Sequence, residues 1–275
     1  MLFWVLPAGL AIGLALGALG GGGSILTVPA LVYLLGQDAA VATTGSLVVV
    51  GTSALMGMAA HARAGRVRLV HGAVFGVLGT AGSYAGSRLS AHVPSPVLLS
   101  AFAGLLLVVA ALMARRARAA AAGAATRVAG GTEVGGSTRH TESGAWTARG
   151  AANVILAATG VGLLTGFFGV GGGFAIVPAL VLVLGFEMPT AVGTSLLVIA
   201  INSATAFATR LHSGVTLDWP VILGFTGVAV VGSLLGARLA HRLDPRPLNT
   251  AFTGLLVLVG IYIAVMNVPR LFSGG

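Results

Sequence analysis

Gly20-Gly21-Gly22-Gly23-Ser24-Ile25-Leu26-Thr27-Val28-Pro29-Ala30-Leu31 and Gly169-Val170-Gly171-Gly172-Gly173-Phe174-Ala175-Ile176-Val177-Pro178-Ala179-Leu180 are two versions of one stretch, and their reading decides the fold. The offset, from Gly20 to Gly169, is 149 residues; it also carries Gly36 onto Gly185, Ser46 onto Ser195 and Gly65 onto Gly214. After a one-residue slip, Gly82, Arg88, Phe102 and Gly104 fall on Gly232, Arg238, Phe252 and Gly254. The chain therefore reads as two copies of one unit, residues 1–114 and 151–275, joined by a linker at 115–150.

Glycine is the poorest ordinary helix former and takes positive φ without penalty, so a run of it inside an apolar segment predicts a broken helix. In hydrocarbon a break strands backbone N–H and C=O groups, and it is tolerated only where protein or a water-filled cavity surrounds it. A cavity near the midplane is the expectation. The residues after each run then begin short helices whose free N–H groups and positive dipole ends point into that cavity and attract anions. Glycines also serve as close-packing surfaces between helices. Recurrence of the run at corresponding places in both halves favours a transporter site.

Composition sets the class. With 56% hydrophobic residues and 8% charged and a mean hydropathy of +1.01, this is an all-α polytopic membrane protein and not a soluble domain. The formal charge of +9 comes from arginines in turns and in the linker and not from one basic face. They read as topology signals and contacts to anionic lipid headgroups, and no nucleic-acid partner is implied. No cysteine is present, which excludes disulfides and thiolate metal sites.

About eight membrane segments follow, because a hydrocarbon core takes about 20 apolar residues per helix. Residues 3–35 form one stretch too long for a straight crossing, with the glycines in its middle. Spans at 39–60, 69–89 and 97–114 complete the first unit, and 155–184, 189–209, 221–239 and 248–266 repeat the order. The Ala-, Gly- and Thr-rich linker has little to bury against the entropy of ordering it, and is expected to be mobile. If each broken segment crosses the bilayer, each unit has four crossings and the halves run the same way. If each turns back, the halves are inverted. Four crossings per unit is the expectation taken forward.

Polar groups within spans need a partner, a cavity or a function. The richest cluster is Thr194 and Ser195, followed by Asn202 and Ser203; Ser195, Asn202 and Thr205 share a helix face, and the first unit places Ser46, Ser53 and Met56 at those positions. Serine and threonine also bond back to their own helix carbonyls, whereas the Asn202 amide cannot be satisfied on its own helix. The candidate substrate-binding set is Gly22, Gly23, Ser24, Ser46, Ser53, Gly171, Gly172, Gly173, Thr194, Ser195 and Asn202. His61 and Arg63 beside Gly65 read as part of a basic loop.

Asp38, Glu187, Asp218 and Asp244 all fall in turns, which disfavours a carboxylate relay or cation pathway. No nucleotide loop, zinc spacing or cofactor fingerprint occurs, so neither an enzyme site, a metal site nor a cofactor is expected. A gradient is then the energy source, and the expected partners are a small anionic substrate and membrane lipids. Two rivals stand beside this: a permease for another small solute or metal ion, and a membrane scaffold with no cargo.

The paired Gly-rich/Val-Pro-Ala-Leu motifs, Gly171-Gly172-Gly173 and Ala191 to Ser195 resemble the TauE/SafE family of sulfite and organosulfonate exporters over nearly the whole chain outside the linker. The resemblance implies an eight-helix secondary transporter of the inner membrane, exporting sulfite or related sulfur-containing anions. The first half departs from the pattern, with Ser24 closing its glycine run and Thr43-Thr44-Gly45-Ser46 in place of Gly-Thr-Ser. The two half-sites are thus expected to contribute unequally.

Overall fold

The computed structural model describes residues 2–90, 93, 95–129, 148–168, 173–210 and 216–272. Among the described residues all regular structure is helical: α1 (Leu2–Leu19), α2 (Gly22–Pro29, extended by a π-helical turn Ala30–Leu34), α3 (Ala39–Arg63), α4 (Leu69–Ser90), α5 (Ser95–Ala129), α6 (Ala148–Phe168), α7 (Gly173–Leu182), α8 (Met188–Arg210), α9 (Trp219–Arg242) and α10 (Pro245–Phe272). Five of these, α3, α5, α8, α9 and α10, are long and apolar enough to cross a membrane. The protein is a multi-pass membrane protein.

Several boundaries have visible local causes. Gly36 and Gly185 both take positive φ, +64° and +72°. Each closes its helix with a bond that reaches six residues back, Gln37 N–H to the Leu31 carbonyl at 3.1 Å and Phe186 N–H to the Leu180 carbonyl at 3.0 Å. The two caps match residue for residue, with glycine where a left-handed cap needs it. Asp218 caps α9 by accepting from Val221 N–H at 3.4 Å. Helix α5 runs on through residues 115–129, the first part of the stretch read as a linker, because alanine and arginine are strong helix formers. The remainder of that stretch, 130–147, lies outside the described residues.

At the first glycine run α1 stops at Leu19, Gly20 adopts a φ of +71° and α2 starts at Gly22. The chain then reverses. A Cβ on Gly23 would stand 2.5 Å from the Ile12 carbonyl and 2.7 Å from the Leu16 Cβ, so α2 runs back along α1. Helix directions follow from other close approaches. Gly9, Gly13 and Gly17 of α1 meet Val228, Ala229 and Ser233 of α9 in ascending order, so α1 and α9 are parallel. Gly162 and Gly166 of α6, which the repeat places on Gly13 and Gly17, meet Gly79 and Ser83 of α4 in the same sense. Glycine removes the side chain that would hold the backbones apart.

The central pair differs. Gly51 of α3 faces Ser203 of α8 and Gly57 faces Leu196, so α3 and α8 are antiparallel. Four crossings per unit would make these repeat-related helices run the same way, and this corrects that expectation. The physical reason is the reversal at Gly20–Gly21, which adds one return passage. The core is continuous across the halves: Phe168 of α6 and Phe174 of α7 pack against Phe102 of α5 with ring centroids 5.3 and 4.9 Å away, respectively. Phe102 and its repeat mate Phe252 are both fully buried.

Candidate functional site

The first kink is delivered to the centre of the molecule by the α1–α2 hairpin, and the start of α7 meets it there. Gly20, Gly21, Gly22 and Gly23 are all buried. A Cβ on Gly21 would overlap the Gly173 carbonyl, and one on Gly173 would stand 2.5 Å from Ser24 Oγ and 2.9 Å from Gly21 Cα. A Cβ on Gly20 would collide with Ser195 Oγ and lie 3.1 Å from Val177. Five of the expected site residues, Gly22, Gly23, Ser24, Gly173 and Ser195, are thereby gathered around one contact between helix N-termini. No side chain caps α2 at Gly21. Its first-turn amides, with those of α7, give this region a positive field.

The surroundings of this kink differ from the sequence expectation. Among the described residues no wide gap separates Gly20 and Gly21 from Gly173 and Ser195, because glycines let the two backbones and the Ser195 hydroxyl approach directly. A cavity of about 870 Å³ opens elsewhere, between α5 and α10, where Arg118, Asn249, Thr253 and Tyr262 are among its lining residues. Gly171 and Gly172 of the second run lie outside the described residues.

The hydroxyls divide into three groups. Ser46 and Ser195 each donate to the carbonyl three residues back, to Thr43 at 2.9 Å and Val192 at 2.8 Å, and so match across the repeat. Ser24 does the same to Gly21 at 2.7 Å. Thr194, fully buried, accepts from the Arg68 backbone N–H at 3.1 Å, tying α8 to the turn before α4. Ser53 is fully buried and its Oγ has no hydrogen-bond partner. Asn202 finds its partner on a neighbouring helix, as its chemistry requires: Thr80 of α4 donates to its Oδ1 at 3.1 Å.

His61 is the residue the sequence placed least well. It is fully buried, and its Nε2 lies 3.0 Å from the Gly17 carbonyl, one turn before the kink. Its ring packs edge-on against His241 of α9, centroids 5.0 Å apart. Nothing in the local pattern distinguishes it from the arginines that follow it in the turn.

The family model described as sulfite exporter TauE/SafE matches residues 5–263. The chain belongs to the TauE/SafE family. Among its relatives, a probable membrane transporter protein of Xylella fastidiosa (strain 9a5c) is 32% identical over 256 residues, covering 92% of this chain and 90% of that one. A probable membrane transporter protein of Bacillus subtilis (strain 168), YdhB, is 25% identical over 90% of this chain and 96% of its own length. No solved structure matches the chain significantly. Family membership makes this TauE/SafE protein a membrane transporter.

Proposed function

We propose that this chain is a secondary transporter that exports small sulfur-containing anions, sulfite or organosulfonates, through a site between its two glycine kinks. The observation that carries the reading is the contact of Gly21 with Gly173, at which two helix N-termini from opposite halves face one another. Fixed N–H dipoles favour an oxyanion, and Ser24 and Ser195 add hydroxyls at the same place. The sulfur-anion cargo follows the family's description and the absence of any Asp or Glu within a span.

The helix directions support inverted halves, with α3 running against its repeat mate α8. Opposed halves of like structure are suited to alternating access, since motions of one half mirror those of the other. In the closed arrangement the tips touch. An anion is held when they part, with Gly22, Gly23, Ser46, Ser53, Gly171, Gly172, Thr194 and Asn202 in the surrounding shell.

A counterflow screen in proteoliposomes across sulfite, sulfate, methanesulfonate, taurine, small carboxylates, a neutral sugar and a divalent cation tests the proposal. Exchange confined to sulfite and sulfonates is the expected result. Exchange of the cation or sugar alone would transfer the reading to a different permease, and exchange of nothing would leave a scaffold.

A further inference from the structure

The anion site leaves one group unexplained: the buried imidazole of His61, paired with the half-buried ring of His241. The Gly17 carbonyl can only accept, so His61 Nε2 carries the hydrogen and donates to it at 3.0 Å. That leaves Nδ1 as a bare acceptor, and it is buried without a partner. His241 Nε2 is likewise buried without a partner. A neutral imidazole held by one nitrogen with the other empty is a vacant proton seat.

Position ties this seat to the kink. His61 touches the hairpin through Gly17, and a Cβ on Gly193 of α8 would stand 3.0 Å from the His61 Cβ, with Thr194 and Ser195 next along that helix. The charged and titratable groups on the elements packed around it are Arg63, Arg66 and Arg68 at the end of α3 and in the following turn, Arg210 at the far end of α8, and Arg238, His241 and Arg242 on α9. Arg66 reaches the same place, donating from Nη1 to the Ala240 carbonyl at 3.3 Å. Helices α1, α3, α8 and α9 and the α3–α4 turn carry no Asp or Glu.

The repeat gives an independent pointer. Its offset places His61 on Arg210 and Thr44 on Gly193, and the contacts correspond: His61 packs on Gly193 while Arg210 Nη1 lies 3.5 Å from Thr44 Oγ1. One half thus has a permanent cation where the other has a group that is cationic only when protonated.

We infer that His61, paired with His241, is a proton-binding site whose occupancy is linked to the anion at the Gly21–Gly173 contact, making the protein a proton-coupled anion transporter. This rests on the transport reading above. A proton on His61 Nδ1 adds positive charge beside Arg66 with no carboxylate to offset it, so the charged form is favoured when an anion arrives. By reciprocity the proton strengthens anion binding by the same factor. In each cycle the proton enters Nδ1 from one side with the anion and leaves to the other with it, so a monovalent anion moves without net charge.

The test uses the full chain in liposomes, with methanesulfonate as the probe because it has no titratable proton in the working range. With the potential clamped at zero by potassium and valinomycin, a pH gradient of one unit should accumulate methanesulfonate roughly tenfold, the ratio that equal proton and anion movement gives. A trapped pH dye should report protons moving with it. His61→Gln retains a donor for Gly17 but offers an amide oxygen that does not take up a proton where the imidazole has Nδ1; protons should no longer accompany the anion, and a potential should now drive it. Anion flux in wild type that ignores the pH gradient would overturn the proton site and leave the transport reading intact. No anion flux at all would remove both. Should His61→Gln fail to fold, the imidazole nitrogen resonances of ¹⁵N-histidine wild type decide: Nδ1 must protonate reversibly on adding methanesulfonate, and a ring that stays neutral overturns the inference.

Discussion

Gly21 lies face to face with Gly173, so close that a Cβ on Gly21 would stand 2.6 Å from the Phe174 backbone nitrogen as well as overlapping the Gly173 carbonyl. A side chain there must separate the hairpin tips permanently. Gly21→Val should therefore cut methanesulfonate flux about tenfold or more, since about 1.4 kcal/mol of strain in one state of the cycle is a factor of ten in its population. Gly224→Ala is the control, because a Cβ at that α9 position meets nothing within 4 Å. Flux through the Gly224 variant should match wild type.

Gly17 and Gly166 occupy matching positions and meet matching backbones, Ser233 on α9 and Ser83 on α4. Gly17→Ala and Gly166→Ala should each destabilise the fold by about 1–3 kcal/mol, the usual cost of overpacking. Thermal melts in detergent should show similar losses for both. A large loss for one and none for the other would mean that the halves do not share this packing.

Ser53 and Thr194 are both buried hydroxyls, with opposite consequences. Thr194→Val leaves the Arg68 N–H without its acceptor and should cost about 1–3 kcal/mol. Ser53→Ala removes an oxygen that has no partner, so stability should hold or rise. A drop in sulfonate affinity in a stable Ser53→Ala protein then reports a direct role in holding the anion.

The antiparallel run of α3 and α8 places their C-terminal ends on opposite sides of the membrane. Because the chain has no cysteine, single substitutions Ala64→Cys and Thr216→Cys can be labelled with an impermeant maleimide on cells and on inverted vesicles. Each should react from one side, and the two sides should differ. Labelling of both from the same side would restore four crossings per unit.

Much of this was legible in the sequence because the repeat is written in glycines. The 149-residue offset pairs Gly36 with Gly185 and Ser46 with Ser195, and each pair shares its local geometry in the structure; that the glycines cap helices is a fact of the fold. The reversal of direction was not legible. A glycine run specifies that a helix stops, while only the approach of Gly23 to Ile12 and Leu16 reveals where the chain goes next. The burial of His61 was hidden for a similar reason: its sequence neighbours are arginines of an exposed turn, and the Gly17 carbonyl it bonds lies 44 residues away. Asn202 was readable as needing a partner, but Thr80 as that partner is a tertiary fact.

The most direct test of an anion held between the tips is protection of Ser24→Cys from iodoacetamide. Ser24 is half-buried beside Gly21 and Gly173, and cysteine replaces it with little change in size. Alkylation should slow with rising methanesulfonate, saturating over the same concentrations as its flux. An alkylation rate indifferent to methanesulfonate, while flux saturates normally, would contradict the account.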